Sequence, residues 1–132
     1  MNYLLDTHTF IWSVTEKSKL SPLVRQTLEN TNNSIFVSAV NLWEISLKFS
    51  LEKLKLRGVL PKDLPKLTLQ TGFQLISLSA DEAATFHQLS ITSHKDPFDR
   101  MLAWQAIQRN LILISKDESL LQYREAGLKT LW

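Results

Sequence analysis

Short, continuously apolar runs separated by stretches of helical pattern constrain the fold most. The runs are "YLL" (3–5), "SIFV" (34–37), "FQLISL" (73–78) and "LILI" (111–114), and "GLKTL" (127–131) is a candidate last strand. Because the first four are predominantly apolar rather than alternating, we predict strands that are buried on both faces. Strands that alternate with helices form right-handed crossovers, so we expect a three-layer α/β/α domain with a mainly parallel central sheet.

Signals that start helices lie between these runs. Ser21 precedes Pro22, a pair typical of an N-cap followed by the first helical residue. Ser79 opens a second pattern with acidic residues in its first turn, which the positive end of a helix favours. The segment 50–72 is the least regular part of the chain, and we expect one short extra helix there.

The composition excludes several classes of protein and of site. At 132 residues, the chain is long enough to bury a core, and we expect one domain spanning residues 1–132. It has no apolar run near the roughly 20 residues of a membrane span and no secretion signal at its start. The absence of cysteine excludes disulfides and thiolate metal sites, and only 3 glycines nearly exclude a glycine-rich phosphate loop. We therefore expect a cytoplasmic protein without a membrane span.

Four of the 13 acidic residues stand where an α/β sheet places its chemistry. Asp6 directly follows the first run, and Asp117 comes soon after "LILIS". Glu44 lies near the start of the helix after "SIFV", and Asp99 lies in the first turn of the helix before "LILI". Ligands of such sheets bind beyond the carboxyl ends of the strands, so the four carboxylates can converge on one edge.

Convergent carboxylates repel one another unless a positive charge lies between them. Mg²⁺ or Mn²⁺ is the natural choice, because hard cations prefer oxygen ligands. A cation held in this way activates water and neutralises charge on a phosphate. The pattern therefore indicates hydrolysis of a phosphate ester.

Each of three acids also has a purely structural interpretation. Asp6 and Asp117 can act as N-caps of the helices that follow them. Glu44 can form an ordinary pair with Lys48, four residues later. On a helical wheel, however, Glu44 lies in a narrow polar wedge with Asn41 and Lys48 between two apolar flanks. A helix that is apolar on two flanks is largely buried, which favours a functional role for the glutamate.

The stretch "HKDPFDRML" (94–102) contains two acids with different expected roles. Asp96 followed by Pro97 predicts an N-cap with proline at the first helical position, which places Asp99 at the third. We expect Asp99 to bind metal, and Asp96 to fix the helix start with a supporting role at most. His94 is a further candidate for a supporting role.

Aromatic and basic residues leave alternatives open. Core packing is the favoured interpretation for Trp12, Trp43 and Trp104, although grooves that receive a partner helix also use aromatics. Six basic residues within 48–66 form either a solvated face or a phosphate-attracting patch. They are Lys48, Lys53, Lys55, Arg57, Lys62 and Lys66.

Four motifs, "YLLDTHTFIW", "VSAVNLWEISLK", "DPFDRMLAWQA" and "LILISKDESL", occur in this order across nearly the whole chain. Together they resemble the PIN domain, and within it most closely the VapC-type toxins of bacterial toxin–antitoxin pairs. The resemblance implies a Mg²⁺- or Mn²⁺-dependent endoribonuclease that acts on tRNA or rRNA and leaves 5′-phosphate and 3′-hydroxyl ends. It further implies inhibition by a cognate antitoxin and a homodimer.

The resemblance also assigns roles to individual residues. The metal-binding, catalytic carboxylates are Asp6, Glu44, Asp99 and Asp117. The hydroxyls that support these ligands or the substrate phosphate are those of Thr7, Ser38 and Ser115. Arg100, or the basic stretch 48–66, is the candidate for contacts along the RNA backbone, which position a substrate without selecting its sequence.

Two other functions remain as alternatives. A PIN-type nuclease for housekeeping RNA maturation is disfavoured by the small size of the chain, which leaves no room for an added RNA-binding domain. A catalytically silent PIN-like binding module is disfavoured by the intact acidic set. A short upstream reading frame that adjoins this one would mark an antitoxin and favour the toxin.

Overall fold

Five parallel strands form one central sheet in the computed structural model, which describes residues 1–90 and 96–132. The strands are β1 (Asn2–Leu5), β2 (Ser34–Ser38), β3 (Gln74–Ile76), β4 (Ile112–Ile114) and β5 (Lys129–Leu131). Their order across the sheet is β3-β2-β1-β4-β5, and every neighbouring pair is parallel. The expected parallel α/β fold is therefore confirmed. The candidate supporting residue His94 lies outside the described residues.

Helices connect the strands and cover both faces of the sheet. The α-helices are α1 (Thr7–Thr15), α2 (Pro22–Glu29), α3 (Ala39–Ser50), α4 (Leu64–Gln70), α5 (Ala80–Thr85) and α6 (Pro97–Arg109). Short 3₁₀ helices span Lys17–Lys19, Pro61–Asp63, Phe86–Gln88 and Glu118–Ala126. Ser21 and Ser79 are confirmed as N-caps, because their hydroxyls accept from the amides of Val24 and Glu82. Within the described ranges, no helix is both long and apolar enough to cross a membrane.

The core is divided between the two faces of the sheet. Tyr3 and Leu5 of β1 pack with side chains of α1 to α4 on one face, whereas Leu4 packs with α6 on the other. Successive side chains of a strand point to opposite faces, so one short apolar run contributes to both layers. A strand with consecutive apolar residues can therefore pack against helices on both of its faces, as β1 does here.

Two expectations about burial are wrong. β3 is an edge strand whose Gln74 and Leu75 are exposed, so it is not buried on both faces. One flank of α3 is also exposed, and Trp43 is 62% accessible instead of lying in the core. Trp104, by contrast, is buried as expected. β3 has a neighbouring strand on one side alone. On α3, Val40 at the start of the helix is buried, whereas Trp43 and Leu47 farther along the same flank are exposed.

Candidate active site

Asp6 lies directly after β1, where the strand ends and α1 begins. Its amide donates a 3.0 Å hydrogen bond to the carbonyl of Ile114, and its Oδ1 accepts one of 2.9 Å from the amide of Thr9. Asp6 is therefore the N-cap of α1 and is fixed against β4. Burial raises the pKa of its carboxyl, against the opposing effect of side-chain hydrogen bonds from Ser115 and Thr9.

Glu44 is buried on α3 with both carboxylate oxygens in use. The hydroxyl of Thr7 donates a 2.5 Å hydrogen bond to Oε1, and the ammonium of Lys48 forms an ion pair with Oε2. Burial opposes the charge on Lys48, but the hydrogen bond to Glu44 and the charges of Glu44, Asp96 and Asp99 raise its pKa. The Glu44–Lys48 pair foreseen from the spacing exists, but its acidic member is only 3% exposed and is not a surface group.

Asp99 lies in the first turn of α6, at the position expected from the sequence. Asp96 is the N-cap, with Oδ1 accepting from the amides of Phe98 at 2.9 Å and Asp99 at 3.1 Å. Burial raises the pKa of the Asp99 carboxyl to about 7, aided by the charges of Asp96, Glu44, Asp6 and Asp117, in that order.

Asp117 is the most exposed of the four candidate ligands. Its Oδ1 caps the 3₁₀ helix Glu118–Ala126 by accepting from the amide of Ser119 at 2.9 Å. Its own amide donates to the hydroxyl of Ser115 at 3.0 Å. Asp117 also lines an open pocket with Asp6 and Trp12, at the rim of the site.

Asp6, Glu44 and Asp117 thus lie close enough to Asp99 for their charges to contribute to its raised pKa. Lys48 is the cation whose ammonium pairs with one of them. Within residues 1–90 and 96–132, no three acidic or histidine side chains already form a metal-binding group. The donor chemistry fits a hard divalent cation, because several oxygen ligands share one region of excess negative charge. The ligand geometry is not preformed, which agrees with the engagement of both Glu44 oxygens by Thr7 and Lys48.

The candidate supporting residues take different positions. Thr7 and Ser115 contact Glu44 and Asp6 respectively. The hydroxyl of Ser38 instead donates a 2.5 Å hydrogen bond to Oε1 of Gln105, and it accepts from the amide of Val40 as the N-cap of α3. Ser38 therefore supports the start of α3 and the packing of α6.

Arg100 has a structural position that contradicts its proposed contact with an RNA backbone. Its side chain is buried and donates to the carbonyls of Ser90 and Leu89 and to the hydroxyl of Tyr123. Its guanidinium also lies over the rings of Phe86 and Tyr123, at 5.2 and 5.9 Å from their centroids. The guanidinium joins α6 to its neighbours and is not available to a substrate.

Two buried amides that belong to the same region were not recognised as supporting residues. Asn41 donates 3.1 Å hydrogen bonds to the hydroxyl of Thr7 and to the carbonyl of Leu5, so it fixes the residues around Asp6. Gln105 accepts from Ser38 and donates to Glu82. Asn41 shares the polar wedge of Glu44, and Gln105 interrupts the buried face of α6; both signals were present in the sequence.

Comparisons with known proteins identify relatives over nearly the whole chain. The family model described as PIN domain matches residues 3–126. Ribonuclease VapC22 of Mycobacterium tuberculosis is 26% identical over 129 residues, which cover 98% of this chain and 97% of that protein.

Solved structures share the fold. A chain in the crystal structure of VapBC2 from Rickettsia felis bound to a promoter DNA fragment aligns with a TM-score of 0.68 and 20% identity, covering 99% of this chain and 98% of that one. A chain of DNA-bound VapBC from Salmonella typhimurium also gives a TM-score of 0.68, at 18% identity, with 99% and 97% covered.

Proposed function

Because the chain belongs to the PIN-domain family, we propose that it is the toxin of a toxin–antitoxin pair and a metal-dependent endoribonuclease. The observation that carries the proposal is the gathering of four carboxylates around Asp99, those of Asp96, Glu44, Asp6 and Asp117. Burial and these charges raise the pKa of Asp99 to about 7. A group of acids that disturb one another in this way is typical of a site built for a cation. The likeness to Ribonuclease VapC22 supports the same activity.

The proposed cation is Mg²⁺, with Mn²⁺ as the alternative, and its ligands are Asp6, Glu44, Asp99 and Asp117. When bound, the ion supplies a Lewis acid that activates water and offsets charge on the phosphodiester. The chain itself orients the ligands. Thr7 holds one oxygen of Glu44, and the hydrogen bond between Ser115 and Asp6 holds that carboxylate at the end of β1.

The proposed substrate is RNA of the tRNA or rRNA class, cleaved to 5′-phosphate and 3′-hydroxyl ends, with arrest of translation and growth as the result. Exposed basic residues in the 48–66 stretch support contact with phosphates, which positions a substrate without selecting its sequence. They are Lys53, Lys55, Arg57, Lys62 and Lys66. Lys48 is not among them, because its ammonium is engaged with Glu44.

The proposed protein partners are a VapB-like antitoxin and a second copy of the chain. The shared fold with chains of VapBC complexes supports the antitoxin. Exposed apolar side chains on and just after α3, those of Trp43, Leu47 and Leu51, support a protein partner of either kind. The single domain over residues 1–132 and the cytoplasmic location stay predictions.

Expression of the chain without an antitoxin, followed by sequencing of cleaved RNA ends, tests the activity and its target. We expect cleavage with Mg²⁺ and none with a chelator or in the double variant Glu44→Gln, Asp99→Asn. Asp81→Asn is the matched control, because Asp81 lies in the first turn of α5 as Asp99 lies in the first turn of α6. Cleavage that survives chelation excludes the metal mechanism, and undiminished cleavage by the double variant excludes this site.

A further inference from the structure

Lys48 is a cation placed inside the acidic site. It lies one helical turn after Glu44 on α3, and its ammonium is bonded to Oε2 of that residue. The same ammonium lies 5.7 Å from the ring centroid of Phe98, the residue before Asp99 on α6. Lys48 thus spans from α3 to the first turn of α6, with a side chain that is 35% exposed.

The charges around Lys48 explain why it lies there. Asp96, Asp99 and Glu44 all act on its ammonium. A single lysine offsets only part of the negative charge of this group, so the site retains an attraction for further positive charge. The side chain is long and flexible and reaches solvent, so it can leave Glu44 without a change in the backbone.

A divalent cation at Glu44 would meet this lysine directly. Oε1 already accepts from Thr7, and Oε2 already pairs with Lys48. A second cation at Oε2 would lie within a few ångströms of the ammonium, where like charges repel strongly. Lys48 and the ion therefore cannot share Oε2 at low cost.

We propose that Lys48 is a built-in counter-ion that competes with the divalent cation for Glu44, so that ion binding displaces the lysine. This inference rests on the proposed function, because it takes Glu44 as a ligand of the ion. Lys48 holds the carboxylates together in the ion-free protein and lowers the affinity of the site for the ion. A lysine that merely orients Glu44 would have the opposite effect, since its loss would weaken ion binding.

Calorimetric titration of MnCl₂ into the full chain, stripped of metal beforehand, tests the competition without any measurement of RNA cleavage. We expect Lys48→Met to lower the Mn²⁺ dissociation constant by about three- to tenfold, the range for loss of one half-exposed charge. Lys48→Arg retains the charge and should keep the wild-type affinity. Circular dichroism of each variant establishes that it is folded.

Lys19→Met is the matched control. Lys19 also pairs with a nearby glutamate, Glu16, at 3.4 Å, and its ammonium lies 5.7 Å from the ring centroid of Trp12. This variant removes a lysine charge that pairs with Glu16 and not with a candidate ligand, and its Mn²⁺ affinity should equal that of the wild type. If Lys19→Met and Lys48→Met gained the same Mn²⁺ affinity, the gain would come from the net charge of the protein, and the proposal would be overturned.

Mn²⁺ binding by Lys48→Met that is unchanged, weaker or absent also overturns the inference. The two proposals fail separately. Chelator-sensitive RNA cleavage together with no gain in Lys48→Met leaves the proposed function intact and excludes the competition. Tighter Mn²⁺ binding by Lys48→Met, together with no RNA cleavage by the wild-type chain, supports the competition and excludes the nuclease.

Discussion

The hydroxyl of Thr7 donates a 2.5 Å hydrogen bond to Oε1 of Glu44. The side-chain amide of Asn41 donates to the same hydroxyl oxygen at 3.1 Å, so the hydroxyl proton is directed toward the carboxylate. The residue after Asp6 is thereby tied to the buried acid of α3. Thr7 thus fixes the position of Glu44 relative to Asp6, although the two candidate ligands are far apart in the sequence.

Thr7→Val removes this hydroxyl at nearly constant volume. We expect the free energy of unfolding to fall by about 1–3 kcal/mol, because Glu44 and Asn41 each lose a buried partner. Urea denaturation measures this, and RNA cleavage should slow by about tenfold if Glu44 loses its orientation. Thr15→Val is the control, since the Thr15 hydroxyl donates only to the carbonyl of Ile11 within α1. Equal losses of unfolding free energy in the two variants would show that the contact with Glu44 adds no more stability than an ordinary hydrogen bond within a helix.

The raised pKa of Asp99 should make the stability of the protein depend on pH. Its pKa rises from 3.8 to about 7 on folding, so the folded state binds the proton more tightly than the unfolded state. The contribution of this group to stability is therefore most favourable at acidic pH, and it is lost as the pH rises from 3.8 to about 7. Asp99→Asn, which cannot ionise, should be more stable than the wild type by about 1 kcal/mol near neutral pH, a figure lowered for solvent screening.

Thermal unfolding of Asp99→Asn and wild type across this range measures the effect, with metal removed by a chelator. The gain should be small near pH 4, increase up to about pH 7 and then remain level. A gain of the same size at every pH would argue against titration of Asp99 as its source.

Gln105 is predicted to stabilise the fold more than its polar character suggests. It is fully buried, accepts from Ser38 and donates to the carbonyl of Ser77 and to Glu82 at 3.1 Å each. Gln105→Leu should lower the free energy of unfolding by about 2–4 kcal/mol, because several buried polar groups lose their partner at once. Gln108→Leu, on the exposed side of α6, should change it by less than about 0.5 kcal/mol in the same urea titration.

Arg100→Lys tests the structural position of the buried guanidinium. A lysine cannot reproduce the planar set of donors or the stacking on Phe86 and Tyr123. We therefore expect the free energy of unfolding, measured by urea denaturation, to fall by about 2 kcal/mol. The exposed Arg124 provides the control, and Arg124→Lys should be neutral. A neutral Arg100→Lys would mean that the charge alone, and not the geometry of the fork, holds these segments together.

The sequence predicted the parallel sheet and the helix starts because both depend on local patterns. Apolar continuity indicated β1, β2 and β4, and the Asp96–Pro97 pair placed Asp99 in its first turn. The exposure of Trp43 was not predictable in the same way, since a helical wheel shows two apolar flanks without showing which one a neighbour covers. Arg100 was misjudged for a related reason: its burial depends on Tyr123, which only the tertiary fold brings to it.

Asp6, Asp96 and Asp117 each cap a helix with a side-chain oxygen, and two of them are candidate ligands as well. Asparagine keeps that capping oxygen and loses the charge, whereas alanine loses both. Aspartate and asparagine codons differ by one base. A point mutation at Asp6 or Asp117 can therefore remove a charge from the site while the helix cap stays in place. If the proposed activity depends on that charge, a single base change is enough to end the activity without unfolding the chain.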